Sequence, residues 1–99
     1  MTDDRGEPTT LRLRIEGFVQ AVGYRNFMIT EATRLGLDGW VRNRSDGTVE
    51  ALVSGPQKVV EALVQLAMHG HTPSRVKSVD IHNEEKTQVE KGFHRRPSV

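Results

Sequence analysis

The chain has 99 residues, with 14 Lys plus Arg against 13 Asp plus Glu, a formal charge of +1 and no cysteine. That length supports one domain with one modest core, and the charge balance leaves no global field for gathering nucleic acid or anionic lipid. The lack of cysteine excludes disulfides, thiolate metal sites and thiol nucleophiles, and no apolar run reaches the ~20 residues of a membrane helix.

The opening MTDDRGEPTT is acidic and polar where a secretory signal is basic and then apolar, so a soluble cytoplasmic protein is expected. Residues 1–9 carry no periodicity and contain Gly6 and Pro8, which reads as a mobile lead-in ahead of a single domain over 10–96 and a tail at 97–99. In TLRLRIEG, Leu11, Leu13 and Ile15 alternate with Arg12, Arg14 and Glu16, the pattern of a strand with one buried face, and Gly17 ends it. From Tyr24 the period changes: Tyr24, Phe27, Met28, Ala32 and Leu35 recur at three and four, with Gly36 at the C-terminal cap of a helix. LDGWVRN (37–43) and TVEALVSG (48–55) bracket RSDG and predict a hairpin. Pro56 suits a first helical turn, and Val59, Val60, Leu63, Leu66 and Ala67 give a second helix its apolar face before Gly70. RVKSVDIHNE (75–84) alternates through Val79 and Ile81, but Val76 is out of phase, which calls for a bulge or a later start. GFHRR (92–96) either pairs with the sheet edge or trails off as a basic tail. The order βαββαβ predicts an α+β, ferredoxin-like sandwich, an antiparallel sheet with two helices on one face.

Between the first strand and first helix lies FVQAVG, where the chain must turn sharply enough to gather backbone N–H groups on one side. Such a nest at a helix N-terminus binds anions, because the unpaired N–H groups and the positive end of the helix dipole point the same way. Gly17 and Gly23 permit the dihedrals such a turn needs. Arg25, in the helix's first turn, is placed to fold its planar guanidinium over the cradle and grip two phosphate oxygens. The plainer alternatives are a tight turn and a solvated surface arginine.

GFVQAVGYR closely resembles the acylphosphatase motif G-x-V-Q-G-V-G-[FY]-R, and GWVRNRSDGTVE (39–50) resembles that family's second motif, G-W-V-x-N-x-x-D-G-x-V-E. The resemblance runs from about Leu11 to Ile81 and takes in Gly55-Pro56 and the TPSRV stretch. It implies the ferredoxin-like fold, reached above from the element order, and an enzyme that hydrolyses the carboxyl-phosphate bond without a metal or other cofactor. It further implies that Arg25 and the backbone amides of Val19, Gln20, Ala21, Val22, Gly23 and Tyr24 bind the phosphate, and that Asn43 orients the attacking water. A carboxylate leaves without a general acid, and Asn43 can accept a hydrogen bond from water but cannot act as a base. The expected partners are an acyl phosphate and, as product and inhibitor, inorganic phosphate, with no nucleic acid and no membrane, and the protein is expected to be a monomer. One departure is Ala21, where the family pattern usually has glycine. If that position needs positive φ, alanine costs roughly 1 kcal/mol or somewhat more.

The remaining features read more plainly. His69 and His71 sit in a Gly/Pro loop with no carboxylate at ligand spacing, and His82 and His94 fall on separate elements, so no metal site is expected. Asp46 reads as a turn residue, Glu50 as a strand charge open to pairing, Trp40 as core packing beneath the hairpin, and Lys91, Arg95 and Arg96 as a solvated basic tail. The rival from another class is a non-catalytic module binding phosphate, acyl phosphate or RNA on the same fold. The R-G-[FY]-[GA]-[FY] run of an RNA-recognition domain is absent.

Overall fold

The computed structural model describes residues 4–99. Its elements run β1 (Pro8–Phe18), α1 (Tyr24–Arg34), β2 (Asp38–Asn43), β3 (Val49–Pro56), α2 (Gln57–His69), β4 (Arg75–Asn83) and β5 (Phe93–Arg95). They form one sheet in the order β4-β1-β3-β2-β5. The four long strands pair antiparallel, as β1 with β3, β1 with β4 and β2 with β3. The wholly antiparallel sheet expected from the sequence needs one correction: GFHRR supplies an edge strand that pairs parallel to β2, with Gly39 opposite Phe93 and Val41 opposite Arg95. Parallel pairing is open to it because its link back to β2 passes through three intervening elements. Beyond β5, the Val99 amide donates to the Asn43 carbonyl and the Ser45 amide to that of Val99, so residues 97–99 follow the same edge.

Alternation along the strands divides the molecule into two faces. Leu13, Ile15, Val41, Val49, Ala51 and Val53 point toward the helices and are fully buried with Met28, Ala32, Val60 and Leu63. Pairing in β1 starts at Pro8, opposite Pro56, so the strand begins inside the predicted lead-in, of which residues 1–3 lie outside the described residues. Pro56 closes β3 with extended dihedrals (φ −60°, ψ 139°), one residue short of its expected helical position. The phase break at Val76 is a bulge: the β1–β4 register shifts between Glu16 and Gly17. Gly17 (φ +135°) is required there, because a Cβ would lie 2.0 Å from the Arg75 carbonyl oxygen.

The helix-free face is polar and paired. Glu50, only 5% exposed, accepts from Arg42 at 2.7 Å and Arg44 at 3.0 Å, with Arg12 at 3.5 Å. Burial works to raise its pKa, and the hydrogen bonds from Arg42 and Arg44 more than offset that, leaving the carboxyl below its ordinary range. Asp46 plays the expected turn role, accepting from the Thr48 amide and hydroxyl, and also pairs with Arg14. Trp40 is not in the core. It shares parity with Arg42, faces away from the helices, and has the guanidiniums of Arg42 and Arg96 4.8 and 4.9 Å from its ring centre. No helix among the described residues is long and apolar enough to cross a membrane.

Candidate active site

Residues 19–23 turn the chain from the end of β1 into α1. Val19 is 1% exposed and anchors one side in the core. On the other, Tyr24 is buried, its hydroxyl donates to the Ala67 carbonyl at 2.8 Å, and burial pushes the phenol well above its ordinary pKa. Its ring also packs edge-on against His71, which lies 5.0 Å from Phe27, so that histidine is held by aromatic contacts against α1. Among the described residues no three His, Asp or Glu side chains converge to hold a metal ion.

Between these anchors the backbone takes two left-handed residues, Ala21 at φ +62° and Gly23 at φ +80°. None of the N–H groups of residues 20–26 donates in the turn, loop and cap hydrogen bonds among the described residues; the Phe27 amide, which donates to the Gly23 carbonyl, is the first after the turn to do so. The start of α1 has neither a side-chain cap nor an acidic residue in its first turn. Unpaired donors and the dipole's positive end therefore coincide with no protein anion to answer them.

Val19, Ala21, Gly23, Tyr24 and Arg25 line one hollow of about 180 Å³, together with Asn26 and Arg95. The Arg25 guanidinium has no ion pair or side-chain hydrogen bond among the described residues. Partial burial, and after it the like charge of Arg95, hold its pKa below the usual arginine value, and it remains a cation at neutral pH. A larger hollow of about 420 Å³ lies beside Trp40, but its one histidine, His94, is engaged with the Lys91 carbonyl at 2.8 Å.

Two residues of the turn face elsewhere. Val22 packs against the core, and the Gln20 side-chain amide donates to the carbonyls of Arg44 at 2.8 Å and Thr48 at 2.9 Å. Gln20 thus straps the turn to the β2–β3 connection, beside Asn43, a side-chain role that spacing did not suggest. Asn43 ends β2 and is not among the residues lining the hollow. Its Oδ1 is buried with no hydrogen-bond partner among the described residues, an acceptor left open. Arg95 went unrecognised because it lies 69 residues from Asn26, on a three-residue strand with no pattern of its own.

The arrangement can hold a phosphoryl group by backbone donors and a guanidinium. The acylphosphatase family model matches residues 11–95. The acylphosphatase of Rhizorhabdus wittichii is 41% identical over 97% of this chain and 96% of its own. That of Thiobacillus denitrificans is 49% identical over 88% and 96%. The crystal structure of acylphosphatase from Bacillus subtilis superimposes with a TM-score of 0.84 at 31% identity, covering 91% of this chain and 99% of that one. The fold and sequence likenesses span nearly the whole chain, including the turn at 19–25. The protein belongs to the acylphosphatase family and is a hydrolase of acyl phosphates.

Proposed function

We propose that this enzyme splits the carboxyl-phosphate bond without a metal ion, using Arg25 and the backbone donors of residues 19–24 to hold the phosphoryl group and Asn43 to position water. The observation that carries this reading is the Arg25 guanidinium, unpaired with any carboxylate among the described residues, lining the same hollow as a helix start whose N–H groups make none of the turn, loop and cap hydrogen bonds among those residues. These groups neutralise charge on the equatorial oxygens, the part a divalent cation plays elsewhere in phosphoryl transfer. Water, accepted through one of its hydrogens by Asn43 Oδ1, attacks phosphorus in line with the departing oxygen. The new phosphorus–oxygen bond forms as the bond to the acyl oxygen breaks, and its electron pair leaves with the carboxylate. The proton lost by the water passes to a phosphoryl oxygen of the substrate, so no side chain acts as a base.

The test is hydrolysis of benzoyl phosphate in excess EDTA, with a stable phosphomonoester alongside. Turnover is expected for the acyl phosphate alone. Arg25→Ala should lower kcat/KM by about 10³-fold and weaken inhibition by inorganic phosphate. Asn43→Ala should lower kcat by about 10²-fold and leave phosphate inhibition nearly unchanged. Loss of binding alone in both variants would refute the division of roles, and turnover abolished by EDTA would refute metal independence.

A further inference from the structure

The hollow contains a second guanidinium that the proposed chemistry does not use. Phe93 of β5 is buried in the core, so Arg95, two residues on, points to the same side of the sheet, while Arg96 turns to the opposite face over Trp40. Arg95 Nη2 donates to Oδ1 of Asn26, in the first turn of α1. That bond fixes a long side chain at the mouth of the hollow lined by Arg25. Arg95 has no ion pair among the described residues, whereas Arg12, Arg14, Arg42 and Arg44 on the other face each meet a carboxylate.

Two cations therefore share one hollow that no carboxylate among the described residues lines. The phosphoryl group is already answered by the turn's N–H groups, the helix start and Arg25. Arg95 is an exposed residue and Arg25 is half-buried, so Arg95 is the cation nearer solvent, available to the acyl part of a substrate whose phosphoryl group is seated in the turn. A neutral acyl chain leaves that charge unmatched.

We propose that Arg95 is a specificity-determining residue that receives a carboxylate carried on the acyl chain, so that the enzyme favours acyl phosphates with a second anionic group over neutral ones. This rests on the phosphoryl-in-cradle reading above. Asn26 is the positioning residue that holds the Arg95 guanidinium in place.

The experiment compares kcat/KM for succinyl phosphate and acetyl phosphate, which present the same reacting bond and differ by a carboxymethyl group, a methylene carrying one carboxylate. The proposal expects the succinyl-to-acetyl ratio to fall about five- to tenfold in Arg95→Gln, the range for one partly exposed charge-assisted contact. Arg95→Lys should keep part of the ratio. Asn26→Asp, which places a carboxylate against the guanidinium, should lower it while leaving Arg95 in place. In the unaltered enzyme, raising the salt from about 0.02 to 0.5 M should also lower the ratio, as screening requires. Melting temperatures check that each variant folds, and Arg95→Lys and Asn26→Asp carry the test if Arg95→Gln does not. Equal losses for both substrates would overturn the proposal by assigning Arg95 to the phosphoryl group or to the fold, as would an unchanged ratio. Failure of the unaltered enzyme on both substrates would remove the acyl-phosphate reading and this proposal with it, an outcome distinct from active enzyme with an unchanged ratio.

Discussion

Ala21→Gly tests whether the cradle is held under strain. Ala21 has φ +62°, a conformation in which an L-residue's Cβ crowds its own backbone, at a cost of about 1–2 kcal/mol. Glycine removes that cost but has more freedom to lose on folding, which returns about 0.4–1 kcal/mol to the unfolded state. Because Ala21 is exposed, deleting its methyl forfeits almost no packing. The net expectation is stabilisation by about 0.5–1 kcal/mol, or roughly 2–8 °C in Tm for a domain of this size. Since the methyl lines the hollow, kcat/KM for benzoyl phosphate should stay level or rise. Gly23→Ala is the mirror experiment. Gly23 has φ +80° and a Cβ built there meets nothing within 4 Å, so conformation alone opposes alanine. It should destabilise by about 0.5–1 kcal/mol. Thermal unfolding by circular dichroism reads both. A lower Tm for Ala21→Gly would refute the strain argument. A higher Tm with a tenfold lower kcat/KM would instead show that the alanine's stiffness helps aim the N–H groups.

Two further outcomes follow from side-chain networks. Gln20→Leu removes both donors of the strap to the Arg44 and Thr48 carbonyls, so it should cost about 1–3 kcal/mol in urea unfolding and lower kcat/KM beyond any change explained by folding. Activity unaltered in a folded variant would mean that the strap serves stability alone. Glu50 has a depressed folded-state pKa, so its contribution is present above its unfolded value of ~4.3 and is lost as the pH falls through the folded one. Glu50→Gln should therefore cost about 2–4 kcal/mol at pH 7, where it leaves the half-buried Arg42 and Arg44 short of their partner, and should lose less than the unaltered protein between pH 5 and pH 2.5, about the span of the titration. Parallel acid profiles would refute that assignment.

The parts of the fold written in local period were legible: Leu11, Leu13 and Ile15 marked β1, and the helical spacing from Tyr24 marked α1. Ala21's positive φ was anticipated only as a condition, since a residue type names the conformations it tolerates and the surrounding chain selects one. Trp40 was misread although a signal existed, because Val41 beside it faces the helices and successive strand residues alternate. Arg95 carried no such signal. Its strand has three residues, its partner strand runs parallel across a long separation, and its bond to Asn26 depends on how the sheet edge meets the start of α1. Contacts of that kind exist only in the assembled sandwich.

The same assembly explains how a chain of net charge +1 can concentrate affinity for an anion. On the helix-free face, Arg12, Arg14, Arg42 and Arg44 each meet a carboxylate, from Glu50, Glu84 or Asp46. On the helix side, Arg25 and Arg95 face one hollow without such compensation, beside a helix start that has no acidic residue in its first turn. Since exposed charges are screened beyond about 8–10 Å at physiological salt, the surplus acts on a ligand already at the turn and does little to steer one from a distance. On the function proposed above, selectivity for a phosphoryl group resides in the short-range fit of N–H groups and guanidinium to its oxygens. That makes the conformation of residues 19–25, more than the protein's total charge, the quantity on which binding depends.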